Sequence, residues 1–314
     1  MPSPPAQSSA VDRPRLAEVA DGVHVYLQPD GGWCLNNAGV ITSPGAGAIV
    51  VDTAATVRRA TALRASVDRL ADAPGRVVVN THFHGDHTFG NALFKPAATV
   101  VSHAGTRTEI ADTGTALTEL WPEVDWGDVR PVLPDVTYTD RLTLYAGDRR
   151  VELVSIGPAH TRHDTAVWLP TERVLFAGDV VMPGCTPFVL MGSVRGTLDA
   201  LGALRALAPS VVVGGHGPVA GPEAFDETEA YLRWLQTVAA EGAERGLAPM
   251  EMARRCAREG FGGFGGLLDR ERLVGNLHRA LFELDGGDSA QPPDVRATFE
   301  EIVEFNGGLP ACHA

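Results

Sequence analysis

The chain has few positive charges for its number of acidic residues and no C-x-x-C pair, and each shortage argues against a class of protein. Lys95 is the only lysine among 314 residues, and the formal net charge is −13. Nucleic acids and anionic membranes need a basic face, so this charge argues against both as partners. Cys34, Cys185, Cys256 and Cys312 are scattered without a C-x-x-C pair. We therefore expect free thiols in a reducing compartment rather than a disulfide framework.

Long apolar runs are also missing. None approaches the roughly 18 residues that are needed to span a bilayer. The first residues, "MPSPPAQSSAVDRPR", lack the apolar core of a signal peptide. We therefore expect a cytoplasmic protein that does not bind membranes, with residues 1–15 disordered. The sequence leaves the oligomeric state open.

Two series of strands and helices make up most of the chain. Short β-branched runs separated by turn residues predict the strands, and a helix with apolar 3.6-residue spacing is predicted over residues 57–71. Strands are predicted at 23–28, 38–43, 48–53, 76–83, 98–103, 164–170, 173–181 and 210–217, with a hairpin at 143–157. This repetition indicates an α/β protein with stacked sheets and outer helices.

The strand signal stops near residue 222. We predict a domain over 16–221 and a helical C-terminal subdomain over 222–314, in which Leu273, Leu277, Leu281 and Leu284 form an apolar stripe. This stripe needs an apolar partner, so the subdomain should pack on the sheets and close one side of a site cleft. The segment "GFGGFGG" at 260–266 is either an ordinary loop or a lid.

The stretch "THFHGDH" contains four side chains that can bind a metal. His82 and His84 would share one face of a strand end, and a turn at Gly85 would bring Asp86 and His87 back toward them. Imidazole and carboxylate groups are good ligands for zinc, and also for iron or manganese. The spacing H-x-H-x-D-H therefore predicts a metal site.

Three further candidate ligands lie in separate loops. His160 occurs in "GPAHTRHD", Asp179 in "LFAGDVV" and His216 in "GGHGP". Each of these segments lies at an end of a predicted strand, and we expect them to gather with the first motif at the carboxyl ends of the strands.

The order of these motifs resembles the metallo-β-lactamase superfamily over about residues 20–220. Asp52 in "VVDT" resembles a further element of that family. The resemblance implies a four-layer αβ/βα sandwich that holds two metal ions. Carried over by position, it assigns the first metal to His82, His84 and His160, the second to Asp86, His87 and His216, and a bridging role to Asp179.

The resemblance also narrows the chemistry. Several zinc β-lactamases have cysteine where this chain has Asp179, whereas a bridging aspartate is typical of the glyoxalase II, lactonase and phosphodiesterase branches. This implies a two-zinc hydrolase in which a metal-bound hydroxide, held by the catalytic residues Asp86 and Asp179, attacks a small ester, thioester, lactone or related carbonyl substrate. Asp52 would support a metal-ligand loop, or is a simple turn residue.

Other functions stay open at this point. Iron or manganese could replace zinc, and an iron-dependent redox enzyme similar to the sulfur dioxygenases is one alternative. A β-lactamase-like amide hydrolase is a second, and a catalytically silent metal-binding protein with a sensing role is a third. Because all seven ligand positions are present, the hydrolase is the favoured hypothesis.

Four side chains are candidate substrate contacts. Trp33 is either an aromatic wall or a core residue, and His163 stands where glycine is commoner in the family. Met182 and Phe188 lie in the apolar loop 182–193. No tyrosine follows Asp179 closely, which disfavours a lactonase. Cys185 has no base nearby in the sequence, and we expect an inert thiol.

Overall fold

The computed structural model describes residues 14–288, 291 and 293–314. A seven-stranded sheet contains β1 to β7 in sequence order; pairing is antiparallel from β1 to β4 and parallel from β4 to β7. Its strands are Arg15–Ala20, Val23–Leu27, Ala38–Ile41, Ala48–Val51, Arg76–Val79, Ala98–His103 and Val136–Tyr138. The first strand thus begins at the last residue of the segment 1–15, for which we predicted disorder; residues 1–13 lie outside the described part.

The second sheet has six strands in the order β13-β12-β11-β10-β9-β8. Only β11 and β12 are parallel neighbours; the other pairs are antiparallel. Its strands are Arg141–Ala146, Arg149–Ser155, Thr165–Leu169, Val174–Gly178, Val211–Gly214 and Val219–Ala220. The hairpin predicted at 143–157 is the pair formed by β8 and β9.

The two sheets stack face to face with helices on their outer faces. Val25, Val51, Leu153 and Phe176 belong to the apolar core between the sheets. The outer face of the first sheet is covered by α1 (Val57–Leu70) and α3 (Asn91–Phe94). On the outer face of the second sheet lies α6 (Val194–Ala206) together with the C-terminal helices. The predicted αβ/βα sandwich is confirmed.

One local expectation at the metal motif is wrong. The strand predicted over 76–83 ends at Val79, so His82 and His84 lie in a loop and not on one strand face. The Thr81 amide donates to the Asp52 carboxylate at 2.7 Å instead of to a neighbouring strand. The short helix α2 (Gly85–Thr88) then turns the chain back. The loop and turn, rather than strand alternation, bring the motif together.

Four α-helices joined by turns and loops follow β13 in the described part of the chain. These helices are α7 (Glu223–Glu244), α8 (Pro249–Arg258), α9 (Arg272–Leu284) and α10 (Val295–Asn306); α4 (Ala104–Thr113) and α5 (Leu117–Leu120) lie earlier. Leu273 and Leu277 are fully buried, whereas Leu284 is 54% exposed, so the apolar stripe does not extend to its last member. The helices share one core with the second sheet. The division at residue 222 therefore stays a prediction.

The glycine-rich segment forms a short 3-10 helix at Phe261–Gly263. The ring of Phe264 packs on α7, with its centroid 5.3 Å from those of both Tyr231 and Trp234. This packing favours the ordinary-loop interpretation over the lid. Among the described residues, no helix has the length and apolar character that crossing a membrane requires.

Candidate metal centre

Seven side chains converge at the edge of the sandwich where β5, β11 and β12 end. Their ligand atoms form two groups, and within each group all atoms lie within 4.8 Å of one another. The first ligand group is His82, His84, His160 and Asp179, and the second ligand group is Asp86, His87 and His216. The structure thus brings together the full set that the resemblance proposed.

The first ligand group is rich in nitrogen. His84 Nδ1 lies 3.1 Å from His82 Nε2 and 2.9 Å from His160 Nε2. Asp179 Oδ2 lies 3.4 Å from His160 Nε2 and 3.9 Å from His82 Nε2. Three imidazole lone pairs and one carboxylate oxygen therefore face a common point.

Asp179 also reaches the second ligand group. Its Oδ1 lies 3.2 Å from His87 Nε2, and its Oδ2 lies 3.4 Å from His216 Nε2. Asp86 Oδ2 is 3.3 Å from His216 Nε2 and 3.6 Å from His87 Nε2. Because Asp179 lies within 4 Å of nitrogens from both groups, its position fits a bridging carboxylate.

Side-chain partners orient the histidines of the motif. Thr81 Oγ1 lies 3.0 Å from His82 Nδ1, and Asp52 Oδ2 accepts a 2.8 Å hydrogen bond from His87 Nδ1. The Asp52 carboxylate also accepts from the Thr81 amide and hydroxyl, both at 2.7 Å. One buried carboxylate thus contacts both ends of the motif segment 81–87, which favours the supporting role for Asp52 over the simple turn residue.

Backbone carbonyls orient the two distant histidines. His160 Nδ1 donates to the Phe188 carbonyl at 2.5 Å, and His216 Nδ1 to the Gly31 carbonyl at 3.0 Å, with the Gly32 carbonyl 3.2 Å away. Gly31 has φ +94°, and a Cβ there would lie 2.5 Å from a backbone nitrogen of the His216 loop. Only glycine allows this close approach.

Burial sets the charge of the first ligand group. It lowers the pKa of His82 and of His160 below the usual value, and with the neighbouring imidazole of His160 it lowers the pKa of His84 to about 3. All three imidazoles are therefore neutral near pH 7. A neutral imidazole has the free lone pair that a metal ligand needs.

Charge outweighs burial in the second ligand group. Burial disfavours the imidazolium forms of His87 and His216. The carboxylates of Asp179 and Asp86 nevertheless raise the pKa of His87 well above its usual value, and they raise the pKa of His216 to about 9. Burial likewise disfavours ionised Asp86 and Asp179, but the facing histidines hold the pKa of both below the usual value.

Unpartnered buried atoms show that the donor set fits metal ions. His84 Nε2, His87 Nε2 and Asp179 Oδ1 are buried without a hydrogen-bond partner. Buried polar atoms in native proteins are nearly always paired. A cation that displaced the proton of His87 would contact both His87 Nε2 and Asp179 Oδ1, which lie 3.2 Å apart. Imidazole and carboxylate donors in these proportions suit zinc, iron or manganese.

An aromatic wall lies beside the first ligand group. The ring of Trp33 has its centroid 5.4 Å from those of Phe188 and Trp121, and 6.3 Å from that of Phe299. Phe188 in turn lies 6.4 Å from the ring of His160. The structure therefore places Trp33 and Phe188 next to the candidate metal centre, and their role as substrate contacts stays a prediction.

The other singled-out side chains lie elsewhere. Met182 is buried, and its sulfur accepts a 3.6 Å hydrogen bond from Arg272. His163 stacks on His103 with centroids 4.8 Å apart and planes at 14°, outside both ligand groups. Burial raises the pKa of Cys185 to about 12, in agreement with an inert thiol.

Sequence reasoning missed the buried polar face of α9. Arg272, Asn276 and Arg279 are at most 2% exposed and contact the loop that carries Phe188. The only available signal was their spacing of four and three residues, which matches one helix face. Charged residues on a helix are usually solvated, so the sequence predicts that the apolar stripe of α9 is buried and that its arginines are exposed.

Residues 31–216 match the family model described as the metallo-beta-lactamase superfamily. A linear primary-alkylsulfatase of a Pseudomonas species is 24% identical over 254 residues, which cover 67% of this chain and 48% of that protein. A hydroxyacylglutathione hydrolase of Methylococcus capsulatus is 32% identical over 133 residues, covering 41% of this chain and 43% of that protein. The chain thus spans less than half the length of these curated relatives.

Solved structures support the same fold. The crystal structure of DIM-1 metallo-beta-lactamase has a TM-score of 0.56 and 20% identity, covering 70% of this chain and 97% of that one. A metallo-beta-lactamase from Pontibacter korlensis has a TM-score of 0.57 and 21% identity, covering 70% and 99%. At these identities, the likeness concerns the fold alone.

Proposed function

The chain belongs to the metallo-β-lactamase superfamily, and from this premise we propose that it is a two-zinc hydrolase of a small ester, thioester, lactone or related carbonyl substrate. The observation that carries the proposal is the position of Asp179, whose carboxylate lies within 4 Å of nitrogens from both ligand groups. Two metal ions that share one carboxylate lie close enough to act on one substrate bond.

The seven candidate ligands divide between two metal ions. His82, His84 and His160 would hold one ion; Asp86, His87 and His216 would hold the other, with Asp179 between them. When bound, the pair of ions lowers the pKa of water and polarises an oxygen of the substrate. Asp52 fixes the ring of His87 through the 2.8 Å hydrogen bond.

Asp86 and Asp179 are the proposed catalytic carboxylates. Facing histidines keep the pKa of both below the usual value, so each is ionised at neutral pH. An ionised carboxylate at this position accepts a hydrogen bond from the attacking water and thereby orients it. Phe188 is buried beside His160, and the partly buried ring of Trp33 packs against it, so we propose that an acyl or alkyl group of the substrate would contact Trp33.

A sulfate ester is the second candidate substrate. The observation that favours it is the relative with the widest coverage reported above, an alkylsulfatase aligned over 67% of this chain. A shorter alignment to a hydroxyacylglutathione hydrolase has the higher identity, 32%, and supports the thioester instead. The two candidates differ in the bond that is cleaved, so a substrate panel separates them.

The test is metal analysis together with activity on a panel of substrates. We expect two zinc ions per chain and hydrolysis of at least one among an aryl ester, a glutathione thioester, a lactone, a β-lactam, an alkyl sulfate and bis(p-nitrophenyl) phosphate. One iron per chain with oxygen consumption would favour the redox alternative. Two zinc ions without activity on any member would favour the silent metal-binding protein.

A further inference from the structure

Helix α9 presents a buried polar face to the loop 186–190. Arg272, Asn276 and Arg279 are spaced by four and three residues, so they project from one side of the helix. Their exposed fractions are 2%, 0% and 0%. Burial of two guanidinium groups and an amide is costly unless each finds partners, so the partners reveal what this face does.

Asn276 brackets the residue that orients His160. Its Nδ2 donates to the Pro187 carbonyl at 2.7 Å, and its Oδ1 accepts from the Val189 amide at 3.0 Å. Between these two bonds lies Phe188, whose carbonyl accepts from His160 Nδ1 at 2.5 Å. One side chain thus fixes the backbone on both sides of the carbonyl that sets the direction of the imidazole.

The two arginines hold the ends of the same loop. Arg272 Nη1 donates to the Thr186 carbonyl at 3.1 Å, and Arg279 Nη2 donates to the Leu190 carbonyl at 2.9 Å. Arg272 keeps Asp269 as its ion-pair partner at 2.8 Å. Along the loop, α9 therefore contacts the carbonyls before and after Phe188 and leaves the Phe188 carbonyl itself to His160.

A glycine in α9 completes the fit. A Cβ at Gly275 would lie 2.9 Å from the ring of Phe188, closer than real Cβ atoms come. The helix therefore holds the Phe188 backbone through Asn276 and receives its ring at Gly275. Both contacts restrict how far the Phe188 carbonyl can move away from His160.

We propose that Asn276 is a positioning residue for His160, acting through the Phe188 carbonyl, so that a C-terminal helix sets the geometry of the first ligand group. The proposal rests on the proposed function in one respect, the role of His160 as a zinc ligand. Partners that orient a ligating imidazole are worth about 10- to 100-fold in metal affinity. Because Asn276 acts one contact further away, we expect the lower end of this range.

The alternative is that Asn276 only stabilises the packing of α9. Tyr231 provides a matched control, because its hydroxyl accepts a 2.9 Å hydrogen bond from the same Nδ2 of Asn276. Tyr231→Phe removes one buried hydrogen bond of Asn276 but keeps both bonds to the loop. A purely structural role predicts a lower melting temperature but native zinc affinity for the variants of both residues.

The experiment measures zinc affinity by chelator competition, melting temperature, and the steady-state constants of Asn276→Ala, Asn276→Asp and Tyr231→Phe. We expect all three variants to melt earlier than the native chain. We expect only the Asn276 variants to bind zinc about tenfold more weakly. In these variants kcat should fall, whereas KM should stay unchanged. The aspartate variant keeps the acceptor for Val189 but turns a carboxylate oxygen toward the Pro187 carbonyl, so it should lose at least as much zinc affinity as the alanine variant.

Two results would overturn the proposal. One is native zinc affinity in the Asn276 variants together with a lowered melting temperature. The other is an equal loss of zinc affinity in Tyr231→Phe. If the alanine variant does not fold, the aspartate variant, which has nearly the same volume, decides. A native chain that binds no zinc would instead contradict the proposed function, so the two failures are distinguishable.

Discussion

The two halves of the candidate metal centre are held in different ways. The motif half, His82 to His87, lies in one segment formed by a loop and the short helix α2, and the side chains of Thr81 and Asp52 orient the rings of His82 and His87. The distant half consists of His160, Asp179 and His216 from three loops, and backbone carbonyls orient both of its histidines. A side-chain partner is removed by one substitution, whereas a carbonyl persists in every variant. The motif half should therefore be the more sensitive to single changes in its supporting residues.

The largest effect should come from Asp179, because its carboxylate faces nitrogens from both ligand groups. Asp179→Asn removes the charge that faces both ligand groups. We expect kcat/KM to fall by about a thousandfold or more, because every loss of about 1.4 kcal/mol in transition-state stabilisation lowers the rate tenfold. The measurement is kcat/KM on the best panel substrate, with circular dichroism to show that the fold persists. Asp199→Asn, on the exposed side of α6, is the control. Near-native activity would show that the two groups do not act through Asp179.

Asp52 tests the sensitivity of the motif half. Asp52→Ala removes the acceptor for His87 and for both donors of Thr81. We expect metal affinity and kcat to fall by about 10- to 100-fold. Chelator competition and steady-state kinetics measure the two losses, with the exposed Asp112→Asn as a control. If Asp52→Ala has no more effect than the control, side-chain orientation is not what distinguishes this half.

Asp164 tests the loop that carries His160. Its carboxylate accepts from the Ala159 amide and from the amide and hydroxyl of Thr161. Burial raises its pKa to about 7, although these hydrogen bonds oppose the shift. The folded state thus keeps a proton that the unfolded chain loses near pH 4. The contribution of Asp164 to stability is complete below that pH and is lost as the pH rises to about 7, by up to about 1.4 kcal/mol per pH unit.

Denaturant unfolding at pH 5 and pH 7 checks this prediction. Asn cannot titrate, so Asp164→Asn should remove this part of the pH dependence while all other groups remain. We expect stability to decline more steeply between the two pH values in the native chain than in the variant. Equal slopes would mean that Asp164 is ionised throughout this range, and that its three donors outweigh its burial.

His163 should give the smallest effect. It follows His160 by three residues, but its ring stacks on His103 outside both ligand groups. We expect His163→Ala to change zinc affinity and kcat by less than about twofold, because surface-side substitutions away from a site are usually worth within about 0.5 kcal/mol. A large loss of kcat with unchanged zinc affinity would return His163 to the substrate contacts.

The sequence predicted the ligands better than the local structure that holds them. His82, His84, Asp86 and His87 were recognisable because their spacing is short and the residue types are chemically restricted. The strand assigned to 76–83 ends at Val79, since the Thr81 amide bonds to Asp52 and leaves the ladder. A local pattern cannot show a competing acceptor that lies 29 residues earlier in the chain.

The order of residues along the chain was enough to predict the sandwich and the metal motif. Alternating β-branched runs required two buried sheet faces, and the seven candidate ligands followed strands whose ends meet at one edge. Tertiary structure alone decided which partners aim those ligands. The Phe188 carbonyl, the Gly31 carbonyl and the polar face of α9 are invisible in sequence, since every residue has a carbonyl and a buried arginine or asparagine looks like a solvated one. Their function arises only when packing brings Asn276 to the loop at Phe188, 88 residues earlier in the chain.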